Sequence, residues 1–287
     1  MNHLAPELNP GRLRRFLNAP LALWPGHAAV LLEMLQAPVV MPVAEIPASA
    51  DLGRAADLRS ERLRPYDLVD GVAIIPVRGV LVHERCWWAW DAETVYSDIS
   101  DQMTAALDDA EVRAIAMHIN SPGGEVAGCF DLADQIYAMR GRKPIWAILD
   151  EYAYSAAYAL ASAADHITVP RTGGSGSIGV IALHVDITAA LERFGIKVTT
   201  IQYGERKSDS YPTTPLSDAA RARFQADIDA MGEMFVDLVA RNRELGAGKV
   251  RSTEAGCFLG SAGVTQGLAD EVLPPDEAFS SLLKSIS

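Results

Sequence analysis

The sequence predicts an α/β fold with a mostly parallel sheet, assembled from repeated ββα and βαβ units with flanking helices. The first observation is a set of short apolar runs at 72–77, 114–119 and 145–149, continuous rather than alternating in hydrophobicity. Strands of that kind are covered on both faces. The second is a helical period between the runs: Val95, Ile99, Met103 and Leu107 line one face of a helix over 94–109. The third is the order of strand, helix, strand, which calls for crossover connections between parallel neighbours.

The elements follow in sequence. Residues 1–66 read as an extension, with a short helix around 10–17, another around 28–35, and then a stretch broken by Pro38, Pro42, Pro47 and Pro65. Proline neither donates to a ladder nor fits a helix interior, so this stretch is irregular. The domain proper is expected over 67–287. After the strand at 72–77 and the helix at 94–109 come a strand at 114–119 and a helix at 126–139. A strand at 145–149 and an Ala-rich helix at 155–164 follow. Further strands are expected at 167–169, 180–185 and 198–201, and a long helix over 217–243.

Composition narrows the function. A hydrophobic fraction of 49% with 22% charged residues fits a globular chain with a substantial core. A formal net charge of −12 argues against nucleic acid, whose phosphates need clustered Lys and Arg. Cys86, Cys129 and Cys257 are far apart and in no CxxC spacing, so they read as reduced, mostly buried thiols and not as a disulfide framework or zinc site. No metal or cofactor is expected. Arg12, Arg14 and Arg15 precede an apolar stretch, and Ala48, Ser49 and Ala50 look like a small-residue cleavage site. Pro20, Pro25 and Gly26 interrupt that stretch, and the run at 28–32 is too short for a secretory signal. With no stretch long enough to span a bilayer, a cytoplasmic protein without membrane contact is expected.

Four short segments carry the chemistry. Asn120, Ser121, Pro122, Gly123 and Gly124 form a turn after a strand, where adjacent glycines let a ligand approach main-chain N–H groups. By itself this is an ordinary Pro-Gly turn. Ser155, between Tyr154 and Ala156, opens the Ala-rich helix. Its plainest role is an N-cap; its chemical role would be a nucleophile at a helix start whose N–H groups await an oxyanion. The segment 173–179 holds four glycines and Ser177, with neither a phosphate-loop lysine nor a dinucleotide fingerprint. Lys207 lies in a loop after the expected strand at 198–201, where a lysine is ordinarily a solvated charge.

Together, in this order and spacing, the four segments resemble the signal peptide peptidase A family, including the capsid-maturation (prohead) proteases of tailed phages. The likeness runs from about Val72 to Val272 and includes Gly267, Leu268, Ala269 and Asp270. It implies the Clp protease and crotonase type of fold and a serine endopeptidase with a Ser-Lys dyad. Ser155 would be the nucleophile, Lys207 its base, and Ser177 the group that orients the lysine. Gly123 or Gly124 with Ala156 would form the oxyanion hole. A free lysine has a pKa of about 10.4, but an apolar site brings lysines to roughly 7–8, where the amine can take a serine proton. The phage branch implies scaffold and capsid precursors as substrates, host cytoplasm or the assembling prohead as location, and a homo-oligomer.

Alternatives remain open on sequence. A Clp-like Ser-His-Asp triad could use His184, although a core or sheet histidine is the simpler reading. A crotonase-type acyl-CoA enzyme shares the fold. A bacterial cytoplasmic protease that degrades peptides and a catalytically silent assembly subunit complete the set. Trp87, Trp88 and Trp90 crowd together and suit either a subunit interface or the protomer's own core.

Overall fold

The computed structural model of the chain describes residues 20–23, 64–84 and 93–287. The helices expected around 10–17 and 28–35, together with Cys86, Trp87, Trp88 and Trp90, lie outside the described residues. Among the described residues one sheet contains ten strands: β1 (Leu21–Leu23), β2 (Asp67–Val69), β3 (Val72–Val82), β4 (Glu93–Val95), β5 (Ala114–Glu125), β6 (Ile145–Tyr154), β7 (His166–Val169), β8 (Gly174–Gly176), β9 (Cys257–Leu259) and β10 (Glu271–Val272). Its main path runs β10-β7-β6-β5-β3-β2. Every pair along it is parallel except β2 with β3. The mostly parallel α/β architecture read from the sequence is therefore the one observed.

The continuous apolar strands have partners on both faces. Ala73, Ile75 and Val77 of β3 and Ile115, Met117 and Ile119 of β5 join the main core. That core is closed by α1 (Tyr96–Asp108), α2 (Cys129–Met139), α3 (Ala156–Ser162) and the C-terminal half of a long helix, residues 218–242. The alternate residues Val72, Ala114, Ala116 and Ile148 turn to the opposite face, where they meet Ala278 and Leu282 of the C-terminal helix, Pro275–Ser285. The period read in α1 is the buried one, since Ile99, Met103 and Leu107 all face inward. Between α3 and the C-terminus, in chain order, come α4 (Thr188–Arg193), α5 (Asp218–Asn242), α6 (Ala247–Arg251) and α7 (Ser261–Gln266); the helix Pro275–Ser285 is α8.

Two expected strands are not formed. Residues 180–185 contribute only an isolated bridge, Ile181 with Leu21, and residues 198–201 are coil. Val198 is 46% and Ile201 96% exposed, and among the described residues no strand pairs with 198–201, while 180–185 meets β1 at Ile181 alone. Apolar β-branched sequence becomes a strand only where a ladder partner exists. Of the two described cysteines, Cys129 is buried and Cys257 exposed, so the expectation of mostly buried thiols holds for one of them.

Arg140 holds the far end of α3, which is only seven residues long and wholly buried. Its guanidinium donates to the carbonyls of Ser162 (3.0 Å), Ala163 (2.8 Å) and Ala164, and to that of Asn242 at the end of α5 (3.2 Å). These are carbonyls that a helix end leaves without intrahelical donors. Charge-assisted hydrogen bonds contribute about 1.5–3 kcal/mol each to stability before losses elsewhere are counted. Arg140→Met is therefore expected to lower unfolding free energy by about 3 kcal/mol in urea titration, and Arg140→Lys to lose less. An unchanged midpoint in the Met variant would show that the clamp carries no load.

Candidate active site

Ser155 joins β6 to α3 in a strained conformation. Its dihedrals are φ 54° and ψ −119°, values that L-residues rarely adopt. The surroundings impose them: the Ser155 N–H donates to Gly176 O at 2.8 Å, and its carbonyl accepts the Ala159 N–H at 2.9 Å. The serine does not act as the N-cap that its position suggested, because its side chain makes no capping bond. Its hydroxyl instead points to Gly179 O at a long 3.4 Å, and the residue is 1% exposed. A serine held at a strained strand-to-helix turn, with its hydroxyl almost uncommitted, is a geometry that nucleophiles use.

The glycines sit against it. The sequence reading placed residues 120–124 in a turn, but they continue β5. Gly123 and Gly124 pair with Val80 and Leu81 of β3 on one side and with Leu23 and Ala22 of β1 on the other. A Cβ on Gly124 would lie 1.9 Å from Leu81 O, and one on Gly123 (φ 104°) would lie 2.2 Å from Ala22 O and 3.0 Å from Ser155 Cβ. No other residue type fits at either position. Ser121, to which the sequence reading gave no separate role, holds this backbone: its buried hydroxyl donates to Gly79 O at 2.7 Å and accepts the Gly123 N–H at 3.2 Å. No sequence signal distinguishes that hydroxyl from an ordinary turn serine.

Ser177 lies beside Ser155, one residue beyond the Tyr154–Gly176 pair of β6 and β8. It too has positive φ (55°), is 3% exposed, and is fixed by its N–H donating to Gly256 O at 2.8 Å. The surroundings favour neutral groups. Burial pushes the Cys129 thiol, 3.5 Å from Ala156 O, up to about 12, and burial likewise pushes the Tyr154 phenol up to about 12.

The structure thus gathers Ser155, Ser177, Gly123, Gly124 and Ala156. It does not bring Lys207 to them. Lys207 is exposed in a turn where its N–H donates to Gly204 O at 3.2 Å, and its side chain makes no hydrogen bond or ion pair among the described residues. His184 is half-buried in the wall of a cavity shared with Leu183, Phe224 and Ile228, and the Ser155 hydroxyl is not directed to it. Among the described residues no group of three His, Cys, Asp or Glu side chains is placed to hold a metal ion. No helix among them is long and apolar enough to cross a membrane.

Comparison with known proteins bears on the family of the chain. The profile of Peptidase family S49 matches residues 138–286, just over half of the chain, and that of Clp protease matches residues 86–171. The head-tail preconnector protein GP5 of Enterobacteria phage P21 is 35% identical over 94% of this chain and 56% of its own length. Capsid assembly protease C of Escherichia phage lambda is 37% identical over 75% of this chain and 49% of its own length. The chain therefore spans about half the length of these curated relatives. Among solved structures, a ClpP1 variant of Listeria monocytogenes aligns with a TM-score of 0.43 and 14% identity, covering 70% of this chain and 90% of the other.

Strain at residue 155 has a measurable consequence. A positive φ on an L-residue of this kind costs about 1–3 kcal/mol, and glycine is nearly free of that cost. Ser155→Gly is expected to be about 1 kcal/mol more stable than Ser155→Ala in chemical denaturation. An alanine variant that outlasts the glycine variant would place residue 155 in an unstrained turn.

Proposed function

The chain belongs to peptidase family S49, and on that premise we propose that it is a serine endopeptidase of phage capsid assembly with a Ser155–Lys207 dyad. The observation that carries the proposal is the strained, nearly uncommitted Ser155 beside a glycine backbone that admits no side chain. In the reaction Ser155 Oγ attacks a peptide carbonyl while Lys207 takes its proton and passes it to the leaving amine. The N–H groups of Ala156 and of Gly123 or Gly124 stabilise the oxyanion. Ser177 aligns the amine. No cofactor enters the scheme. The substrates in this reading are scaffold and capsid precursors, processed in host cytoplasm or in the assembling prohead; the name of the phage lambda relative, a capsid assembly protease, supports a role in capsid assembly.

The dyad is completed on assembly. Lys207 follows a stretch in which Phe194 (80%), Ile201 (96%) and Tyr203 (101%) are exposed. Apolar side chains of that size in water are what an interface covers. A second copy packed there would desolvate the segment and allow Lys207 to approach Ser155 as an uncharged base. In this reading the catalytic domain is 67–287, preceded by the extension at 1–66.

Replacing the base separates this scheme from a histidine mechanism. Lys207→Ala is expected to lose about 10³-fold or more in peptide hydrolysis, and Lys207→Arg to fail as fully because a guanidinium stays protonated. His184→Ala is expected to keep activity within several-fold of the parent. Progress curves on a fluorogenic peptide measure all three, and the reverse order of losses would replace the dyad with a Clp-like triad.

A further inference from the structure

Strand β1 lies across the candidate active site like a bound peptide. It is antiparallel to β5, with Leu21 opposite Glu125, Ala22 opposite Gly124 and Leu23 opposite Gly123. The other edge of β1 is bridged to Ile181: the Leu21 N–H donates to Ile181 O and the Ile181 N–H to Leu21 O, both at 2.8 Å. Ile181 belongs to the stretch just after Gly179, whose carbonyl faces the Ser155 hydroxyl. The strand is therefore held on both edges by main chain, with the nucleophile between the two walls.

The register fixes which carbonyl meets the site. The Val126 N–H donates to Pro20 O at 3.4 Å, so positions 20 and 126 form a hydrogen-bonded pair. In an antiparallel ladder such pairs alternate, which makes Ala22 and Gly124 the next one and directs the Gly124 N–H at the Ala22 carbonyl. That oxygen is also the atom crowding the Gly123 Cα hydrogens beside Ser155 Cβ. The side chains are seated as well. Leu21 is 0% exposed in an aliphatic pocket with Val82 and Val95, flanked by Val80 and Ile181, and Ala22 is 0% exposed against the main core.

We propose that residues 20–23 are a substrate-like strand in the enzyme's own cleft, and that the protein cleaves its chain between Ala22 and Leu23. The proposal rests on the peptidase reading above and adds a substrate class: extended peptides with a branched aliphatic residue followed by a small one before the cut bond. In the cleavage Ser155 Oγ bonds to the Ala22 carbonyl carbon, the Ala22–Leu23 C–N bond breaks, and the serine proton passes through the base to the Leu23 nitrogen. Water then hydrolyses the acyl ester, giving an Ala22 carboxylate and regenerating Ser155. Until that happens β1 blocks the cleft to other peptides.

The test uses the full chain and its Ser155→Ala and Leu21→Asp variants, with intact-mass measurement, N-terminal sequencing, and turnover of two probes: casein and a fluorogenic peptide copying residues 18–27. The parent should yield a product beginning at Leu23 and cut the peptide at the same bond; Ser155→Ala should do neither. Leu21→Asp, which puts a carboxylate in the aliphatic pocket, should retain its N-terminus and hydrolyse casein several-fold faster than the uncut parent. Casein turnover that depends on Ser155, with the Ala22–Leu23 bond intact in both chain and peptide, would overturn the proposal and leave the peptidase reading standing. A cut elsewhere, or one that persists in Ser155→Ala, would overturn it too. Loss of all Ser155-dependent turnover on both probes would remove the peptidase reading with it.

Discussion

Three stretches of main chain meet at Gly123 and Gly124 with no room for a side chain between them. Leu81 presses from β3, Ala22 from β1, and Tyr154 from the end of β6, each at a distance that a single Cβ would close. Because the glycines let β5 run on past Ile119, β1 can add to its far end, and the backbone there faces the main chain of β1 rather than a packed side chain. The same closeness constrains Ser155. With Gly176 drawing its N–H one way and α3 starting the other, a left-handed φ is the conformation that connects the two while leaving the hydroxyl on the cleft side. Strain of this kind persists only where the surroundings over-determine it. Here they do so through the buried Ser121 hydroxyl, the wholly buried, alanine-rich α3 and the Arg140 clamp at its far end.

Against that rigid half, the proposed base stands apart. Lys207 and the apolar residues before it face water, whereas Ser155 and Ser177 are buried and fixed by main-chain bonds. A nucleophile needs a fixed position, but a lysine base needs desolvation, and the second can be supplied by a neighbouring molecule. Such a division would keep the protein idle until it is assembled.

Periodicity carried most of the fold. The helix read over 94–109 is Tyr96–Asp108, and that over 217–243 is Asp218–Asn242, with Ser217 as its cap through the Ala220 N–H at 3.1 Å. Strands were legible where they are buried but were cut short, since the proline and glycines at 122–124 read as a turn although they belong to β5. The strands expected at 180–185 and 198–201 failed for a different reason: local apolarity says nothing about whether a ladder partner is present. Leu21–Leu23 shows the converse. Three residues after a proline carry no periodic signal, and only the cleft makes them a strand. In the site, residue type and position singled out Ser155 and the glycines, and the family resemblance added Ser177. The conformation of Ser155 was hidden, because an N-cap serine and a strained one look alike in sequence.

The central claim is that Ser155 is the nucleophile, and covalent capture addresses it without presuming the base, the substrate or the oligomer. The full chain would be treated with a fluorophosphonate under conditions in which it hydrolyses peptide, then digested and mapped by tandem mass spectrometry. The account predicts one phosphonyl adduct, on Ser155, and loss of hydrolysis in step with its formation. An adduct on Ser177 or another hydroxyl, or hydrolysis that continues with Ser155 fully modified, would contradict it.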